Sequence, residues 1–147
     1  MAYDSRIEPR PVLPFLRPLY ERLVPLSWPL IRGTVGLLLF IHGYPKIGHA
    51  DAVAASMAKN GLEPAVLIAY LVTLVETVGA LCVAVGLFTR FFAAAAAIDI
   101  AVITFHVFWP RGFASYEYLL MWGLILFAIA LRGGGPYSLD RLVGKEL

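Results

Sequence analysis

Arg32, Glu76 and Asp99 each fall inside a different long apolar stretch of the sequence. An ionisable side chain near the middle of a membrane helix costs about 3 kcal/mol on insertion scales unless it is paired, neutralised or hydrated. Three helices that each carry one are therefore expected to share a polar interior. Buried carboxyls are suited to giving and taking protons, which makes Glu76 and Asp99 candidate relay groups and Arg32 their counter-charge. A guanidinium fits a carboxylate through two parallel hydrogen bonds, so Arg32 with Glu76 is the expected pairing and Asp99 the competitor. The plain alternative has Arg32 snorkelling to lipid headgroups and Glu76 simply protonated.

A second polar group is expected near one membrane face. His42 and Lys46 end the first apolar stretch, His106 ends the third and Glu117 begins the fourth. Asp99 and His106 are seven residues apart, two helical turns, and so lie on one stripe that links the two groups into a polar column. Such a column suits a proton path or a quinone headgroup pocket. In that reading Glu76, Asp99 and His106 carry the chemistry, while Arg32, His42, Lys46 and Glu117 surround the ligand. Two histidines and a carboxylate could also hold a metal, but no local signature such as HExxH is present and interfacial hydrogen bonding is the expected use. Cys82 stands alone, which excludes an intrachain disulfide, a CxxC redox pair and a cysteine metal cluster.

These residues need membrane helices to position them. With 147 residues, 60% of them hydrophobic and 15% charged, the composition predicts one all-α, integral membrane four-helix bundle. Mean hydropathy is +0.77. Hydropathy and Gly/Pro punctuation place the spans at about residues 28–42, 65–87, 91–107 and 116–131, with Trp28, Tyr44, Trp109, Tyr116, Tyr118 and Tyr137 as the interfacial aromatic belt. Residues 1–27 read as a Pro- and Arg-rich cytoplasmic arm, part of which could lie on the membrane as a short helix limited by Pro18 and Pro25. Residues 28–140 form the membrane domain and 141–147 a cytoplasmic tail. Four basic residues in the arm, Arg90, and Arg132, Arg141 and Lys145 outnumber Lys46, Lys59 and Arg111, so both termini are expected in the cytoplasm. A formal charge of +2, scattered along the chain, excludes nucleic acid as a partner and leaves membrane lipid.

The first span and its exit read Arg32-Gly-x-x-Gly36 and His42-Gly-x-x-Lys46. The second reads Glu76-x-x-Gly79 and closes with Gly86-Leu-Phe-Thr-Arg90, and the tail reads Gly135-Pro-Tyr-Ser-Leu-Asp140. Over roughly residues 28–140 this series resembles the DoxX family, including DoxD-like proteins. The resemblance implies a four-helix protein of the bacterial or archaeal inner membrane, in a respiratory, quinone-linked oxidoreductase setting. It also implies partners among other oxidoreductase subunits or a homo-oligomer. Quinone is the expected cofactor; the chain carries no covalent haem or Fe–S motif, so electrons come from a bound cofactor, a partner or the quinone. A non-catalytic scaffold or assembly subunit, in which the same polar residues only pin helices together, is the competing expectation, with small-solute transport a third.

Overall fold

The computed structural model describes residues 13–144. Arg6, Arg10 and Lys145, which the charge count uses, lie outside them. Four helices are long and apolar enough to cross a membrane: Arg17–Lys46, Ala65–Val85, Thr89–Arg111 and Phe113–Arg132, here spans one to four. An even number of spans puts the two described chain ends at one end of the bundle, the terminal end, and the connections between spans one and two and between three and four at the other, the loop end.

Span one starts earlier than hydropathy suggests. Its α-helix runs unbroken from Arg17 to Gly43 through Pro25 and Pro29, so residues 17–27 are its first turns and not a separate interfacial helix. At 1.5 Å per residue this 27-residue helix is about 40 Å long. A hydrocarbon core of about 30 Å leaves the Arg17 and Arg22 turns among headgroups.

A helix that hydropathy does not single out, Ala50–Lys59, lies across the loop end. Ala54 packs it against Ala65 and Ala69 of span two, with Val53 and Met57 at the margin. The main core draws on all four spans: Trp28, Val35 and Leu39 from the first, Ala80 and Val83 from the second, Ala93, Ala96 and Ile100 from the third, and Leu126 and Ile129 from the fourth. Lipid offers no hydrophobic drive between helices, so small residues that permit close approach do much of this packing. A Cβ on Gly36 would lie 2.6 Å from the Ala80 carbonyl oxygen, and one on Gly43 2.5 Å from the Glu76 carbonyl oxygen. These two glycines, seven residues apart, bring span one backbone-to-backbone with span two and set the depth of Glu76.

Candidate functional site

Glu76 sits where span two departs from α-helical geometry. Residues Val75–Gly79 form a π-helical turn, and a second, Ile103–Phe108, interrupts span three. A π-turn swells the helix by one residue, re-aims the side chains it contains and is frequent at functional sites. In span two it turns Glu76 fully inward, 0% exposed.

The partner of Glu76 is Lys46. Its Nζ donates to Glu76 Oε2 in an ion pair, with one fifth of the lysine side chain still exposed. Asp99 of span three completes the group, its carboxyl close enough to Glu76 and Lys46 to interact with both. Three spans thus contribute one ammonium and two carboxyls to a single cluster, in which Glu76 is fully buried and Lys46 and Asp99 are partly so. Glu76 Oε1 and Asp99 Oδ2 are buried in it without a donor.

The expected Arg32–Glu76 pairing is not formed. Arg32 is buried, but its Nη1 donates to the Gly134 carbonyl at 2.8 Å and its Nη2 to the Tyr137 carbonyl at 3.2 Å, near the terminal end. Helix side chains lean toward the helix N-terminus. Span one begins at the terminal end, so the Arg32 stem is directed away from the bilayer middle, whereas Lys46, at the far end of the same helix, leans back into it. The same rule that moves Arg32 out of the cluster brings Lys46 in.

Arg32 belongs instead to a clasp that fastens the tail to the bundle. Trp28 Nε1 donates to the Gly133 carbonyl at 2.9 Å, and the Arg132 guanidinium lies over the Trp28 ring at 4.3 Å. Asp140 accepts from the Phe88 and Thr89 backbone N–H groups at 2.7 and 3.0 Å and from Thr89 Oγ1 at 2.6 Å, capping span three. It also supplies the opposite charge for Arg32. Gly86 must be a glycine here: its φ is +79°, and a Cβ would lie 1.9 Å from Arg32 Nη1. Both Gly86-Leu-Phe-Thr-Arg90 and Gly135-Pro-Tyr-Ser-Leu-Asp140 are therefore fastening elements.

The remaining candidates stay apart. His42 and Glu117 are exposed, and among the described residues no hydrogen bond or ion pair joins them to each other, to Lys46 or to His106. His106 is exposed, with Nε2 3.1 Å from the Asn60 carbonyl, where it pins span three to the end of the Ala50–Lys59 helix. It lies about 10 Å along the helix from Asp99, on the loop-end side. No group of three or more His, Cys, Asp or Glu among the described residues could hold a metal. A groove of about 220 Å³ between spans three and four is lined by Ala97, Thr104, Gly123, Leu124 and Phe127 among others. At 100° per residue it opens on the side of span three opposite Asp99.

The cluster and half of the clasp lie within the segment, residues 27–109, that matches the DoxX family model. The chain belongs to the DoxX family. The relative "Putative oxidoreductase CatD" of Bacillus subtilis (strain 168) is 30% identical over 119 residues, covering 79% of this chain and 86% of its own. No solved structure matches. Arg32, His42, Lys46, Glu76, Asp99 and His106 all fall inside the family segment; Glu117 and the tail half of the clasp fall outside it.

Proposed function

We propose that this DoxX protein is the membrane subunit of an oxidoreductase of the bacterial or archaeal inner membrane, linked to quinone, and that the Lys46–Glu76–Asp99 cluster handles the protons of that reaction. The observation that carries the reading is the burial of two adjacent carboxyls beside one ammonium, with two carboxyl oxygens lacking donors. An unpaired polar atom in an apolar interior is costly; Arg32 Nε in the clasp is another, but its guanidinium is bonded through both other nitrogens, whereas the two carboxyl oxygens come together and one proton would satisfy both. Reducing a quinone to a quinol takes up two electrons and two protons. The electrons come from a bound cofactor, a partner or the quinone itself, since Cys82 is the chain's only cysteine and no haem attachment motif is present. The oxidoreductase name of the Bacillus subtilis relative supports that setting.

In this reading the headgroup approaches at the loop end beside Lys46, whose exposed fraction makes it the reachable member of the cluster. Quinone, when bound there, would supply the proton-consuming chemistry; the part of the Glu76–Asp99 pair would be to hold a proton within its reach and to take a replacement from water at the loop end. His106, about 10 Å from Asp99 toward the loop end, is an exposed group on the same side of the cluster as Lys46. Both termini face the cytoplasm. Purification of the native complex from membrane tests the assignment: a redox protein and a quinone are expected to accompany the chain. Recovery of the intact chain with neither would contradict it and favour the scaffold reading, to which the clasp, made wholly of fastening contacts, lends its own support.

A further inference from the structure

Glu76 Oε1 and Asp99 Oδ2 face a problem of hydrogen-bond arithmetic. Ionised carboxylates only accept, so two of them side by side cannot bond each other. The cluster's charges are Lys46 from span one, Glu76 from span two and Asp99 from span three; span four presents Leu126 and Ile129 to the core. With every group ionised the cluster carries one net negative charge in a low-dielectric interior. A single proton on either carboxyl removes that charge and supplies the missing donor in the same step.

The surroundings of the cluster are one-sided. Toward the terminal end it is closed by Leu39, Ala80, Val83, Ala93 and Ala96, none more than 2% exposed, with the clasp beyond them. Toward the loop end stands the partly exposed Lys46.

We infer that Glu76 and Asp99 hold one shared proton, balanced by Lys46, and exchange it only with the loop end of the bundle. In loading, a hydronium ion at the loop end gives up its proton and leaves as water, and an O–H bond forms on one carboxyl while the other carboxylate accepts its hydrogen bond. Unloading breaks that O–H bond, passes the proton to a water molecule at the loop end as hydronium, and leaves both carboxylates ionised. For its part in turnover this rests on the function proposed above, but the proton itself can be counted in the isolated protein, so the two ideas fail separately.

Infrared spectroscopy of the purified full chain at neutral pH provides the count. The wild-type protein is expected to show the carbonyl band of one protonated carboxylic acid per chain. Asp99→Asn and Glu76→Gln each leave one carboxylate opposite one ammonium and should both lose the band. Lys46→Met leaves two carboxyls and no cation, and its band should double. A wild-type spectrum without the band, a band that survives in either single carboxyl variant, or a Lys46→Met band that does not grow would overturn the shared proton. The two carboxyl variants, close to wild type in volume, carry the test if Lys46→Met does not fold. Vesicles containing the chain alone should hold a pH gradient as long as protein-free vesicles; faster decay would overturn the one-sided exchange.

Discussion

At the scale of single residues, the placement of two cations decides what each carboxyl does. Lys46 and Glu76 form one unit and Arg32 belongs to another, so stability measurements should separate them. Removing either member breaks the Lys46–Glu76 ion pair, and because Asp99 remains to balance Lys46, or a further proton to neutralise the carboxyls, the cost is about 1.5–3 kcal/mol, that of a charge-assisted hydrogen bond. In detergent thermal unfolding, Lys46→Met and Glu76→Gln should each destabilise, and the double variant should lose at least about 1 kcal/mol less than their sum. Arg32→Leu combined with Glu76→Gln should be additive within about 0.5 kcal/mol, because the two share no partner. A strong Arg32–Glu76 coupling would contradict the arrangement. Apolar context made the importance of Arg32, Glu76 and Asp99 legible in the sequence, but not their pairing. Lys46 lies beyond Gly43 and Pro45, which read as the end of span one; the helical backbone instead continues as a 3-10 turn, Tyr44–Lys46, and returns the lysine to the interior.

At the scale of elements, glycine placement and the clasp hold the site in register. Gly43→Ala puts a methyl group against the Glu76 backbone and forces spans one and two apart, whereas a Cβ on Gly33 meets nothing within 4 Å. Gly43→Ala should therefore cost about 1–3 kcal/mol in thermal unfolding, the usual range for overpacking, while Gly33→Ala should be neutral or mildly stabilising. Equal effects would show that the close approach is unimportant. Asp140→Ala removes the acceptor for two backbone N–H groups and the Thr89 hydroxyl, and should cost about 2 kcal/mol with faster proteolysis of the tail. The span count and most span ends could be read from hydropathy and Gly/Pro punctuation. The π-turns could not, since Val75–Gly79 and Ile103–Phe108 have the composition of ordinary helix and arise from tertiary packing. The true start of span one was hidden as well, because Pro25 and Pro29 look like breaks yet sit inside a continuous helix.

For the whole molecule, the division is between a fastened terminal end and an ionisable cluster that lies toward the loop end. The clasp ties the tail to spans one and three, the apolar core fills the layer above it, and the ionisable cluster lies above that with Lys46 toward water. The chain, a member of the DoxX family, sets this arrangement in a bundle of four apolar helices long enough to cross a membrane. The central claim is that the carboxyls act chemically and do more than pin helices. Quinone-dependent turnover of the native complex carrying Asp99→Asn in this subunit tests it most directly, because the substitution keeps the side chain's shape and removes its titratable proton. With the subunit assembled at wild-type occupancy, turnover should fall by at least about tenfold, the lower range for losing a positioned proton-transfer group; undiminished turnover in the fully assembled complex would contradict the account.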